Sequence, residues 1–368
     1  MTSILYVNQW GGLGGAEVSL LRLLQSLPRA EVQPALACPP GPLAEEANAL
    51  GVPVLQLEFP SLRRGGRLSA TDAQRLRKAV ASSHLVHAYS VRAGWFAGRL
   101  CRQLSVPMVW SIHDLFRFPW QKVWLRAVAN WYAQAVVAYS HVIQRQFGRR
   151  LSDKVYHIPH GVDMSLFTPL PPASRAEVRQ RFNTPSDAPV VLHVGRVMPF
   201  KGQHLFLQVA QSLRGQHPEA VFWLAGDDSM GDHRYALRVK GMSEPLHPQV
   251  RWLGFRKDIA PIIAAADVLV HCSTRPEPFG LVILEAMACG TAAVSANNGA
   301  PVEIIENGQT GLLTPPNDGK ALARAVHTLL ANDERRKHLT HAARQKVSAH
   351  YTLEQHVDRL LGLYRSLL

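Results

Sequence analysis

The sequence predicts an α/β protein built from two doubly wound parallel-sheet domains. Three observations carry that expectation. The chain has 368 residues, enough for two domains of about 150–200 residues each and too many for one ordinary core. Short apolar, β-rich runs alternate with helical patterns through both halves, the order that produces parallel sheets covered by helices. A stretch rich in Pro, Ser and Thr, residues 168–189, breaks the alternation near the middle.

In the first half, residues 3–8 form a β-rich run that meets a glycine cluster. A helical pattern starts near Ala16, with Val18, Leu20, Leu21, Leu23, Leu24 and Leu27 on one apolar face. Strand-like runs follow at 33–38, 52–57, 85–88, 108–112, 135–139 and 155–158, with helices at 71–82 and 95–104. The second half repeats the alternation, with strands at 190–194, 220–225, 250–253, 268–271, 292–295 and 311–313. Its helices fall at 204–214, 281–288 and 320–330, and an apolar helix, 353–368, closes the chain. The expected organisation is a first Rossmann-like domain over 1–168, a linker over 169–189 and a second domain over 190–350. Residues 351–368 carry the terminal helix, which packs back on the first domain.

Composition narrows the function. Apolar residues make up 47% and charged residues 18%, a globular balance without disordered or repetitive character. No run of 18 apolar residues exists to span a bilayer. The start, Met1 to Asn8, has neither the basic flank nor the small-residue cleavage site of a secretory signal, which predicts a cytoplasmic chain. Cys38, Cys101, Cys272 and Cys289 lack CxxC spacing and predict neither a metal site nor a disulfide framework. The net charge of +13 is concentrated before residue 169 and suits phosphates or an anionic membrane surface. No nucleic-acid-binding motif accompanies it, so no nucleic-acid partner is expected.

The chemistry-bearing residues cluster in the second half. In Arg275-Pro-Glu277-Pro-Phe279-Gly280-Leu281-Val-Ile-Leu-Glu285, two acids stand eight residues apart, one in a turn and one on the following helix. The turn offers backbone N–H groups at a helix N-terminus, where the dipole favours an anion. Ionised carboxylates accept hydrogen bonds from neighbouring hydroxyls, as a sugar or ribose presents them. A second stretch, Val190 to Gly202, is a strand ending in Gly195-Arg196, followed by Lys201-Gly202. There Gly195 admits a close backbone, Arg196 can grip a phosphate in two-point fashion, and Lys201 adds a point charge.

At these residues the chain resembles the retaining GT-B glycosyltransferases of family 4, whose hallmarks are E-x-F-G-x-x-x-x-E and G-R-x-x-x-x-K-G. The resemblance implies the GT-B architecture: two Rossmann-like domains facing across a cleft. It assigns Glu277 to the donor sugar's hydroxyls, Glu285 to the ribose, and the backbone of Phe279, Gly280 and Leu281 to phosphate and sugar. Arg196 and Lys201 would neutralise the donor diphosphate and so stabilise the leaving nucleotide. Gly226, after the strand ending Ala225, and Phe255, in Gly254-Phe255 with Asp258, fall where the family lines the nucleotide. For Gly299, Gly308 and Gly311, turn geometry is the expected role.

In the first half, the loop Gly11-Gly12-Leu13-Gly14-Gly15 lacks the spacing of a dinucleotide fingerprint. The family places a glycine loop here towards the donor, and Gly14 and Gly15 are its candidates. His113, at the end of the run 108–112, matches a histidine that lines the sugar site in the resembling enzymes, as a polar contact rather than a nucleophile. His157-Ile-Pro-His160-Gly161-Val162-Asp163 resembles the family's I-P-N-G-V-D turn with His160 in place of Asn.

An aromatic and basic segment, Phe116 to Arg126 with Trp131 and Tyr132, reads as helix core with surface arginines or as an acceptor or membrane-surface contact. The basic run Arg63-Arg64-Gly65-Gly66-Arg67 could serve the same surface or be a basic loop. The resemblance implies retaining, metal-independent transfer of a hexose or related sugar from a UDP- or GDP-linked donor, with no cofactor. The implied acceptor is a glycan or lipid-linked glycan of envelope polysaccharide synthesis. Two alternatives stay open: a non-catalytic nucleotide-sugar or polyanion binder, and a nucleotide-sugar epimerase of the same fold.

Overall fold

The alternating runs are parallel strands. A computed structural model describes residues 1–62, 65–228 and 232–368. Arg63 and Arg64 of the basic run lie outside the described residues. The chain divides into two units, Met1–His160 with Leu353–Leu368, and Gly161–Thr352.

The first unit holds seven strands: β1 (Thr2–Val7), β2 (Val32–Cys38), β3 (Val54–Gln56), β4 (Leu85–Ala88), β5 (Met108–Ile112), β6 (Ala135–Ala138) and β7 (Val155–His157). Their order is β3-β2-β1-β4-β5-β6-β7, parallel throughout. β4, β5 and β6 are buried at every position, as strands covered on both faces must be. The helices are α1 (Gly15–Ser26), α2 (Pro42–Ala49), α3 (Ala70–Ala81), α4 (Val91–Leu104), α5 (Pro119–Tyr132) and α6 (His141–Gln144). α4 approaches its neighbours closely because Gly94 and Gly98 lack side chains. A Cβ on Gly94 would stand 2.2 Å from the Trp110 indole nitrogen, and one on Gly98 2.7 Å from Tyr132.

The second unit has a six-stranded parallel sheet of β8 (Val190–Val194), β9 (Val221–Ala225), β10 (Val250–Gly254), β11 (Val268–His271), β12 (Ala292–Ala296) and β13 (Leu312–Thr314). Its order is β10-β9-β8-β11-β12-β13. Around it lie α7 (Pro172–Arg181), α8 (Gln203–Leu213), α9 (His233–Ser243), α10 (Ile259–Ala265), α11 (Leu281–Ala288), α12 (Pro301–Ile304), α13 (Gly319–Ala331) and α14 (Asp333–His350). The stretch 169–189, expected as a linker, belongs to this unit. On α7, Arg175 and Arg179 both pair with Asp267, which also accepts the Val190 N–H at 2.7 Å. α15 (Leu353–Leu367) returns to the first unit. It inserts Tyr364, whose hydroxyl lies 2.6 Å from His87 Nδ1, and His356, 2.8 Å from the Pro159 carbonyl oxygen.

Candidate functional site

In each sheet the first strand sits between the second and the fourth, so strand order reverses at β1/β4 and at β8/β11. Open α/β sheets bind ligands at the carboxyl ends of the strands flanking such a reversal. Most of the residues singled out from sequence lie on loops at these two places, with Phe255 at the end of the edge strand β10.

In the second unit, β8 ends at Gly195, whose N–H donates to Ala225 O at 2.9 Å, and Gly226 N–H donates to Gly254 O at 2.8 Å. These bonds tie the ends of β8, β9 and β10 together. Gly226 has φ +138°, and a Cβ there would lie 2.0 Å from Gly195 O, so only glycine fits. Beyond Arg196 the chain makes a 3-10 turn, Pro199–Lys201, and Gly202 begins α8. A Cβ on Gly202 would fall 2.0 Å from Cys272 O. That close approach lays the β8–α8 loop on the end of β11, where Thr274 N–H donates to Phe200 O at 2.8 Å.

Lys201 Nζ therefore reaches Glu277, 2.9 and 3.2 Å from its two carboxylate oxygens. Ser273 Oγ donates to Glu277 Oε2 at 2.7 Å, and His271 Nε2 stands 3.2 Å from the same oxygen. Ser295 Oγ lies 3.1 Å from His271 Nδ1. Burial alone would raise the Glu277 carboxyl, but the Lys201 ammonium and the bonds from His271 and Ser273 outweigh it. They hold the group well below the usual carboxylate range, ionised and aimed. The backbone of Glu277 is clamped too, its N–H donating to Asn298 O and its C=O accepting from Ala300, both at 2.9 Å. A Cβ on Gly299 would meet that backbone at 2.4 Å.

Gly280, at φ +93°, opens α11 and presents the N–H groups of its first turn, beginning with Leu281. The Phe279 ring is buried, so this residue offers its backbone to the turn. Glu285, four residues into α11, is buried. Arg196 is exposed, and among the described residues its guanidinium has no carboxylate partner. Lys201 is neutralised by Glu277, so Arg196, with exposed Arg275 on the β11–α11 loop and the α11 dipole, supplies uncompensated positive charge at this end of the sheet. Phe255 is exposed at the end of β10, apart from the Lys201–Glu277 group. His193, within β8, donates from Nδ1 to Val270 O at 3.0 Å, while its buried Nε2 has no partner among the described residues. Burial lowers its pKa to about 3, so it stays neutral.

The reversal point of the first unit joins one buried carboxylate, Glu17, to a set of neutral rings. The loop after β1 is fixed by Glu17, which accepts from Asn8 Nδ2 at 3.1 Å and from the Gly14 N–H at 3.2 Å. Gly11 is needed for packing, since a Cβ there would stand 2.3 Å from Pro40 O, whereas nothing lies within 4 Å of one on Gly15. His113 follows β5 with its ring 4.6 Å from Tyr139 and stacked on it. Its Nε2 is buried without a partner, and burial, helped by His356, lowers its pKa to about 3. It is a neutral hydrogen-bonding group and a weak base. His160 is buried, 3.6 Å from Tyr139 ring to ring and 2.8 Å from Ser19 Oγ, so the residue replacing Asn belongs to the packing of this unit.

Comparison with known proteins now bears on the geometry. The family of "Glycosyl transferases group 1" matches residues 174–346, and "Glycosyltransferase Family 4" matches residues 13–166. The two matches take in most of both units, so the chain is similar to the family 4 glycosyltransferases along both. The chain is 32% identical to the lipopolysaccharide core biosynthesis glycosyltransferase LpsE of Rhizobium meliloti, over 51% of its own length and 53% of that relative. The matched region thus spans about half of LpsE. It is 28% identical to the alpha-D-kanosaminyltransferase of Streptomyces kanamyceticus over 80% of each chain. Among solved structures it resembles Anabaena HepE in complex with UDP and glucose, with a TM-score of 0.89, 26% identity and full coverage of both chains.

Sequence reasoning placed Arg196, Lys201 and Glu277 after strands of the second half, and Gly14, Gly15 and His113 after strands of the first; the strand order puts those loops at the two reversal points. It overlooked His271 and Ser273 and expected only a turn role for Gly299; all three aim Glu277. Their signal was present in part: His271 closes β11 and Ser273 follows it, but a polar residue after a buried strand does not announce which acid it will meet.

Proposed function

We propose that this chain moves a hexose or related sugar from a nucleoside-diphosphate donor to a hydroxyl acceptor, retaining anomeric configuration and using no metal. The observation that carries the reading is the ionised Glu277, held by Lys201, His271 and Ser273 beside Arg196 and the start of α11. A fixed carboxylate suits sugar hydroxyls; an uncompensated guanidinium and a helix N-terminus suit a diphosphate. As the bond from anomeric carbon to diphosphate oxygen breaks, the added charge on the leaving group meets Arg196, Lys201 and the α11 N–H groups. The acceptor oxygen attacks from the same side, and a donor phosphate oxygen takes its proton. No protein nucleophile is required. Glu285 is assigned the ribose, with Gly195, Gly226 and Phe255 along the nucleotide. In the first unit, Gly14, Gly15 and neutral His113 are assigned to the sugar.

UDP is the favoured nucleotide, supported by HepE, which was solved with UDP and glucose and with UDP-glucose. A glycan or lipid-linked glycan acceptor is supported by the likeness to LpsE. The test is a thermal-shift panel with UDP, GDP, ADP and their glucose, N-acetylglucosamine, galactose and mannose conjugates. A donor present at about 100 times its dissociation constant adds roughly 2.7 kcal/mol to apparent stability. Stabilisation by one nucleotide series, followed by transfer that survives EDTA, is expected. Folded protein that responds to none of them would overturn the reading.

A further inference from the structure

The outer face of α5 carries none of the residues assigned to the transfer chemistry and exposes several large apolar side chains. Phe118, Trp120, Val123 and Trp131 are 50%, 68%, 63% and 57% exposed. At about 100° per residue, Trp120, Val123 and Trp131 fall on one stripe of the helix, opposite buried Leu125, Val128 and Ala129. The Phe118 and Trp120 rings stack with 10° between their planes at the start of that stripe, and the Arg117 guanidinium lies over Phe118. A helix that is apolar on its buried face and again on its exposed face has a second partner to meet.

Charge identifies the partner. Between residues 73 and 152 the sequence contains twelve Lys and Arg and a single acid, Asp114. Arg117 and Lys122 flank the aromatic stripe, and Arg145, Arg149 and Arg150 follow in the next turns of chain. An aqueous protein partner would need a matching acidic and apolar surface. An anionic bilayer supplies both at once, with acyl chains under the aromatic rings and lipid phosphates for the guanidinium groups. We propose that this protein docks on anionic lipid surfaces through α5, with Trp120 and Trp131 inserted and Arg117 and Lys122 on headgroups. No helix among the described residues is long and apolar enough to cross a membrane, so the contact is peripheral and reversible.

The test is sedimentation of the full chain with vesicles of phosphatidylcholine, or of phosphatidylcholine and phosphatidylglycerol in equal parts. It needs no sugar transfer, so it stands or falls apart from the proposed reaction. Binding to the anionic vesicles is expected, weakened by added salt as screening requires. Trp120→Glu/Trp131→Glu should lower partitioning by roughly tenfold or more, and Arg117→Glu/Lys122→Glu should do likewise. Both variants should keep their far-UV spectrum and UDP affinity, because the side chains are largely exposed and none is among the residues assigned to the nucleotide. Equal binding to both vesicle types, or undiminished binding by both variants, would overturn the proposal. So would a dimer in solution that the tryptophan variant dissociates, for the face would then belong to a second copy of the chain.

Discussion

At the reversal point of its sheet, each unit buries a set of interacting polar side chains, but the two sets differ in charge. The second unit holds an ion pair, Lys201–Glu277, braced by His271 and Ser273. The first holds neutral rings: His87 bonded to Tyr364 and Ser111, Tyr139 bonded to Ser111, and His113 and His160 stacked on Tyr139. One topology thus serves opposite electrostatics. The charged end suits a diphosphate, and the neutral end suits hydroxyls, for which a fixed charge is not needed.

The largest expected effect comes from breaking the ion pair. Lys201→Met leaves Glu277 with no counter-charge and should destabilise the second unit by about 3–5 kcal/mol. Adding Glu277→Gln should recover much of that in a denaturant-melt double-mutant cycle, while transfer stays lost. Additive effects would show that the two side chains are not coupled.

Acid should act on the other unit first. Burial holds His87, His113, His160 and His356 below the ordinary imidazole value, to about 3 for His113 and about 4 for His356. Below about pH 6.5 the unfolded chain binds protons that the folded one refuses. The first unit therefore loses about 1.4 kcal/mol per pH unit for each such imidazole, down towards its folded pKa. The lowered Glu277 keeps its contribution until pH falls through and below the carboxylate range. The second unit carries the same liability at His193 on β8, against four such imidazoles in the first, so hydrogen exchange at about pH 5, corrected for intrinsic rate, should rise more in β4–β6 than in β8 and β11. Equal acceleration in both sheets would erase the contrast.

Arg196→Ala removes an uncompensated charge without disturbing any packed contact. A charge-assisted phosphate bond of roughly 1.5–3 kcal/mol corresponds to about a 10- to 150-fold loss of kcat/KM, with the melting temperature unchanged. Equal loss of stability and activity would move Arg196 into a structural role. The smallest effect separates two glycines. Gly11→Ala should destabilise the first unit, where its Cβ would meet Pro40 O. Gly15→Ala meets nothing within 4 Å and should change stability by less than about 1 kcal/mol. A loss of donor affinity from Gly15→Ala alone would mark that open space as ligand space.

The parts of this molecule that were legible in advance are those with strong local periodicity. Strands β4, β5, β8 and β11 and helix α11 fall at the residues expected, because each is a short apolar run bounded by turn residues. α14 was missed: its 18 residues are mostly polar and bury few side chains, so no apolar stripe marks it. α7 was read as part of a linker because its anchoring is ionic, two arginines reaching Asp267 some ninety residues on. In the site, loop residues could be named from spacing, but Lys201 meeting Glu277 across 76 residues could not. Nor could the clamp of Gly299 on the Glu277 backbone, which exists only once β11 and β12 lie side by side.

The most direct test of the charged reversal point is calorimetric titration of UDP and UDP-glucose into the wild-type protein, Arg196→Ala and Glu277→Gln. The wild type should bind both ligands. Arg196→Ala should weaken both by a similar factor, and Glu277→Gln should weaken UDP-glucose while leaving UDP nearly unchanged. If Glu277→Gln weakens the two equally, or if neither substitution alters binding, the division into a sugar-holding carboxylate and a diphosphate-holding cation is wrong.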